Sequence, residues 1–247
     1  FLGLRKQTLN LVIAGMTSAG RAFAGLGGDV RTLGRASRKI VPSRKIVLTL
    51  LTLTFAASLM RAPLLNRPMQ YDEAYTFVVF ASRSARFILT NYTLPNNHVF
   101  HTLLVHLAYR LFGNLPWVVR LPAFLAGVFL VPACYLAARG LYRHEVALPA
   151  AYAVTFWPLL IDYSTNARGY TLILLFSLLG YALAAYAKNH KNRAAWLLIS
   201  LLSALGLFTV PLMLYPVAIL FLWLGLSWLV DDVSPEYGRT FLLYTAA

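Results

Sequence analysis

The sequence predicts an all-α integral membrane bundle, and three observations predict it. Of its 247 residues 59% are hydrophobic and only 12% charged, where soluble domains carry about 25% charged residues. Its apolar residues fall in runs close to the ~20 residues that cross a bilayer. Its basic residues collect between those runs. Mean hydropathy is +0.65, which excludes a disordered tail, a collagen-like rod and an ordinary soluble domain. The net charge of +14 reads as Lys and Arg in cytoplasmic loops against anionic membrane lipid, with no nucleic-acid partner. One cysteine, Cys134, lies in an apolar run, so neither an internal disulfide nor redox chemistry is indicated.

Residues 1–45 read as a basic cytoplasmic tail, rich in Lys and Arg from Arg5 to Lys45 against one acid, Asp29. The basic stretch is too long for a cleavable signal. The first span is Ile46–Leu65, and Arg44 and Lys45 before it put the N-terminus in the cytoplasm. Residues 66–115 form a long outer loop of mixed composition with interfacial helices. Further spans are expected at Pro116–Ala138, Val146–Tyr163, Tyr170–Ala187, Ala194–Leu212 and Met213–Val230, about six in all, with no broken helix evident. The apolar piece Val99–Phe112 would be about 21 Å long as a helix, short of a 30 Å core. Lying flat, it leaves Arg139, Arg143, Lys188, Lys191 and Arg193 in short cytoplasmic loops, which the positive-inside tendency favours. The transmembrane domain then spans 46–230. Residues 231–247 read as a cytoplasmic loop and the start of a truncated further segment, so the chain is expected to be a fragment.

On the outer face this topology leaves three acids, Asp72, Glu73 and Asp162. Asp72 is either a first-turn acid of a helix or a general base tuned by nearby lipid and arginine. Asn97 and His98 open an amide-rich turn that either caps the next helix or holds a phosphate or metal. The stretch from Asp162 through Tyr163, Arg168 and Tyr170 is a polar island between apolar runs. Arg168 is expensive at a membrane boundary unless it meets an anion, and its planar fork suits phosphate. The other arginines of this face, Arg61, Arg67, Arg83, Arg86, Arg110 and Arg120, read mostly as snorkelling or headgroup contacts.

The order of these motifs resembles a known family. Asp72-Glu73 follows the first span, His98 leads into an aromatic helix, and Leu111-Phe112-Gly113-Asn114-Leu115-Pro116 precedes Trp117–Pro122. A span then ends Tyr135-Leu136-Ala137-Ala138-Arg139-Gly140-Leu141, and Tyr163-Ser164-Thr165-Asn166-Ala167-Arg168-Gly169-Tyr170 follows. This resembles the membrane-embedded GT-C glycosyltransferases, namely dolichyl-phosphate-mannose protein mannosyltransferases and bacterial aminoarabinose and lipopolysaccharide-core sugar transferases. The resemblance implies an integral protein of the plasma (inner) membrane with its active site outside. It implies transfer of a sugar from a polyprenyl-phosphate carrier to a lipid, glycan or protein acceptor. Asp72, with Glu73 beside it, would be catalytic. Asn97, His98, Asp162, Tyr163, Arg168 and Tyr170 would bind substrate. Thr165-Asn166 stand where many relatives have Gln-Glu, and Val99-Phe100 where many have two prolines. No cofactor is implied with certainty, and a divalent metal is left open. A multispan transporter or lipid flippase is the alternative; it would show broken helices and inverted repeats.

Overall fold

The computed structural model describes residues 25–36, 38, 43–92 and 95–230. Most of the expected tail and all of the segment 231–247 lie outside the described residues. Among the described residues there are helices and no strands. We number the α-helices in chain order. Helix α1 covers 25–36, followed by α2 (Arg44–Arg61), α3 (Tyr71–Thr76), α4 (Ala85–Thr90), α5 (Val99–Phe112) and α6 (Pro116–Leu141). Then come α7 (His144–Phe156), α8 (Pro158–Ser164), α9 (Tyr170–Ala187), α10 (Arg193–Thr209) and α11 (Leu214–Val230).

Among the described residues four segments are long and apolar enough to cross a membrane: Arg44–Leu64, Pro116–Leu141, Tyr170–Ala187 and Pro211–Val230. Helix α2 starts where Ser43 caps it, its hydroxyl accepting the Ile46 N–H. Helix α6 starts with Pro116, whose missing N–H costs nothing at a first turn. The expected continuous span Val146–Tyr163 is corrected: α7 and α8 are two helices bent by 59°. Trp157 is extended there and Pro158 has no N–H to continue the ladder. The expected span Ala194–Leu212 is also shorter, because α10 has 17 residues and ends at Thr209 before a 3₁₀ turn.

Helix α6 is the centre of the bundle and packs on α2, α5, α7, α8 and α9. On one flank Leu50, Leu53 and Ala57 of α2 meet Val131 and Tyr135 of α6 and Ala147 and Ala151 of α7. On the other, Ala184 and Ala187 of α9 meet Trp196 and Ile199 of α10 and Leu220 and Leu224 of α11. Small residues at these seams let helix backbones approach without help from water. Large apolar side chains point outward instead, including Leu51, Phe55 and Leu59 on α2 and Leu222 and Leu229 on α11. That is the pattern of a surface solvated by lipid.

One end of the bundle gathers the polar connections. Helix α5 starts beside Gly169 and Tyr170 and finishes with Phe112 against Trp117 in the first turn of α6. Both of its ends therefore lie at this end. Phe77 and Ala81, which follow α3 in a single π-helical turn, pack with Val105, Val119 and Ala167 beneath it. The opposite end carries the α6–α7 and α9–α10 connections. There α1 docks: the Asp29 carboxylate accepts the Arg193 N–H (3.0 Å) and its carbonyl accepts Asn192 Nδ2 (2.8 Å).

Candidate active site

The short helix α3 is a product of its own acids. Glu73, its third residue, reaches back to accept the Gln70 N–H at 2.9 Å, closing the first turn. The same carboxylate is gripped from α6. Arg120 donates through Nε to Oε1 (2.8 Å) and through Nη2 to Oε2 (2.6 Å), a paired fork. Glu73 also accepts the Ala167 N–H at 2.6 Å. Arg120 spends its remaining donors on the carbonyls of Leu65 (2.9 Å), Arg67 (2.8 Å) and Pro68 (3.1 Å). One buried ion pair thus ties the exit of α2, the start of α3, the start of α6 and the 165–169 turn. Burial pushes the Glu73 carboxyl up, but hydrogen bonds from Arg120, Gln70 and Ala167 and the Arg120 charge outweigh it and hold it below its ordinary range.

Asp72 differs from its neighbour. It sits in the first turn of α3, which suits a negative charge, and it is exposed. Its carboxylate has no hydrogen bond or ion pair among the described residues, while its carbonyl accepts the Thr76 hydroxyl at 2.8 Å.

The turn between α8 and α9 lays Arg168 on this helix. Arg168 Nη1 donates to Thr76 Oγ1 and to the Asn96 carbonyl, each at 3.3 Å. Its guanidinium stands 5.8 Å from the Tyr170 ring centroid. It is 7% exposed and meets no carboxylate among the described residues. A buried cation held only by neutral groups retains its appetite for an anion. Asn166 Nδ2 completes the docking with a 3.0 Å bond to Gln70 Oε1.

His98 precedes α5 and accepts the Gly169 N–H at Nδ1 (2.9 Å). An accepting Nδ1 fixes the proton of a neutral ring on Nε2, which is left as a donor. Burial, then the charge of Arg168, then His101, lower the His98 pKa to about 3. The ring meets Tyr170 edge-on at 5.0 Å, and Tyr170 meets Tyr163 at 5.4 Å. Gly169 has no room for a side chain: a Cβ there would fall 2.3 Å from the Thr209 methyl and 3.2 Å from His98 Nδ1.

Asp72, Glu73, His98, Tyr163, Arg168 and Tyr170 therefore gather at one end of the bundle. Asp162 is exposed at the end of α8, next to Tyr163. Asn97 lies lower and stitches backbone, donating to the carbonyls of Ile88 (3.0 Å) and Asn91 (2.9 Å). Among the described residues no three His, Cys, Asp or Glu side chains gather as a metal-ligand set. Two expectations about arginine are corrected. Arg61 and Arg120 are buried, at 0% and 2% exposure, and hold protein groups rather than headgroups. Thr76 and Arg120 stand beside the site without having been singled out by the sequence. Their signal is weak in the sequence, because partners such as Glu73 and Arg120 stand far apart in it.

A helical bundle with membrane-length spans has the build of an integral membrane protein, and one end of this one gathers buried cations and open carboxylates. Residues 97–244, more than half of the chain, match the model of the dolichyl-phosphate-mannose-protein mannosyltransferase family, and the chain belongs to that family. The match covers His98 and Arg168 and begins after Asp72. No curated protein and no solved structure matches the chain. Members of this family are membrane glycosyltransferases that use a polyprenyl-phosphate sugar and a glycan or protein acceptor.

Proposed function

We propose that the chain transfers a hexosyl or pentosyl group from a polyprenyl-phosphate carrier to an acceptor hydroxyl or amine by single displacement. The observation that carries this is Arg168, a buried guanidinium without a carboxylate, bonded through Thr76 to the helix that presents Asp72. Asp72 takes the acceptor proton as the acceptor attacks the anomeric carbon. The bond from that carbon to the phosphate oxygen breaks, and the carrier leaves as a phosphate monoester with one more negative charge. Arg168 stabilises that charge as it develops, in a site poor in competing water. The Nε2–H of His98 is a second donor for the phosphate. Tyr163 and Tyr170 offer ring faces and hydroxyls to the sugar. Glu73 acts through position: its lone pairs are already filled, and it fixes α3 under Asp72.

The outer face of the plasma (inner) membrane is the side this reading requires. Arg139, Arg143, Lys188, Lys191 and Arg193 lie at the end of the bundle away from Arg168, which favours a cytoplasmic location for that end. The α7–α8 break is of a kind that transporters also use. The family match favours the transferase over that alternative.

The test is transfer by the full protein in proteoliposomes supplied with radiolabelled polyprenyl-phosphate sugar and an acceptor extract. Wild-type protein should release carrier phosphate and label the acceptor. Arg168→Gln should lower kcat/KM for the donor by about 10- to 100-fold, the 1.4–2.8 kcal/mol of one charge-assisted contact. Sugar carried across the vesicle without release from its phosphate would instead identify a flippase.

A further inference from the structure

Arg61 lies in the first span, is fully buried, and faces no carboxylate among the described residues. A fully buried guanidinium is expensive, so its partners carry information. Its Nη1 donates to the Ala57 carbonyl (3.1 Å) and to the Thr155 carbonyl (3.2 Å). Its Nη2 donates to the Val154 carbonyl (3.3 Å), and its Nε to Ser164 Oγ (2.8 Å).

Val154 and Thr155 are in the last turn of α7. In an unbroken helix their carbonyls would accept from the N–H groups of residues 158 and 159. Residue 158 is proline and has no N–H, and extended Trp157 turns the chain away. The break therefore leaves orphan carbonyls at the negative end of a helix dipole, in the interior of the bundle. Arg61 supplies both the donors and the positive charge. Ser164, the last residue of α8, is pressed onto α6 at Gly127. A Cβ on Gly127 would lie 2.1 Å from Ser164 Cβ and 3.5 Å from Arg61 Nε. Helices α2, α6, α7 and α8 meet at this point, and Arg168 follows Ser164 by four residues.

We infer that Arg61 is a positioning residue for sugar transfer. It clamps the broken span at its bend, so that α8 delivers the Arg168 turn onto α3. This rests on the phosphate-binding role given to Arg168 above. The clamp predicts that loosening the bend moves Arg168 away from Thr76 and weakens carrier binding before it unfolds the bundle.

Two variants of the full protein in proteoliposomes test it. Arg61→Gln removes the charge and most donors. Gly127→Ala leaves Arg61 in place and improves helix propensity, yet displaces Ser164. Both should raise the donor KM roughly 10- to 100-fold, as misplacement of a binding group does. Adding Ser164→Gly to Gly127→Ala removes the colliding Cβ and should recover part of the loss. Unchanged donor KM in both variants, with only a lower Tm or a smaller active fraction, overturns the proposal, since a purely structural role would give that. A second measurement needs no activity. In a Cys134→Ala background, Gln70→Cys and Asn166→Cys should be joined by a short bifunctional thiol reagent, and Arg61→Gln should cut that yield several-fold. Unchanged yield overturns the clamp. If the yield falls but wild-type protein transfers no sugar, the transferase reading fails and the clamp stands.

Discussion

Asp72 and Glu73 are adjacent, of one charge type, and take opposite places. Glu73 is 1% exposed and accepts from Arg120, Gln70 and Ala167; Asp72 is exposed and uncommitted. In the proposed reaction the choice between them rests on saturation of lone pairs, not on residue type. Breaking the buried pair by Glu73→Ala leaves Arg120 buried and uncompensated, at a cost of about 3–5 kcal/mol. Thermal unfolding in detergent should register this as a large fall in Tm, whereas Asp72→Ala should leave Tm nearly unchanged. The pair also sets a pH dependence. Glu73 is held below its unfolded value near 4.5, so the unfolded chain binds the proton first. Its contribution is complete above that pH and is lost as the solution is acidified through the folded pKa. His98 and His101 add a second loss that begins higher, below their ordinary 6.5, because burial and then the charge of Arg168 keep both native rings neutral down to about 3. Tm should therefore decline from pH 6.5 downward. His98→Asn, which keeps a group able to accept from Gly169, should flatten the upper part of that decline; an unchanged slope would contradict it.

At the scale of elements, the site is made by where helices stop. Helix α3 is one closed turn and more, α7 breaks at Trp157–Pro158, and α9 starts where Gly169 is wedged among Thr209, His98 and His101. Gly169 has an ordinary negative φ of −76°, so its constraint is space. Gly169→Ala should push the turn off α5 and α10, lowering kcat/KM for the donor by tenfold or more, with the helix content by circular dichroism preserved. Wild-type kinetics in that variant would mean that the turn tolerates displacement. The apolar runs made the spans legible, because a bilayer asks for length and hydropathy and little else. The break was not legible. Pro122, Pro132 and Pro149 also sit inside apolar runs and their helices continue. What distinguishes Pro158 is a cation from another helix that satisfies the freed carbonyls, and that partner is 94 residues away from Thr155.

For the whole molecule, the order of polar islands was readable in the chain, and the fold brings Asp72, His98 and Arg168 to one end of the bundle. Their mutual support was not readable, because Glu73–Arg120 and Arg61–Ser164 depend on tertiary packing, and every arginine on that face looks alike in a sequence. The bundle has a polar end with open carboxylates and an opposite end where basic connections and α1 collect. The proposed sidedness rests on the charge asymmetry: in a Cys134→Ala background, Asp162→Cys should react with an impermeant maleimide from outside intact cells and Arg143→Cys should not. The reverse labelling would invert the topology. The most direct test of the central claim is Asp72→Asn in the full protein, read as turnover and carrier binding side by side. The account predicts that sugar transfer falls by about 10²- to 10⁴-fold, the range for losing a general base, while labelled carrier lipid still binds with wild-type affinity through Arg168. Transfer at the wild-type rate would contradict it and remove Asp72 from the reaction.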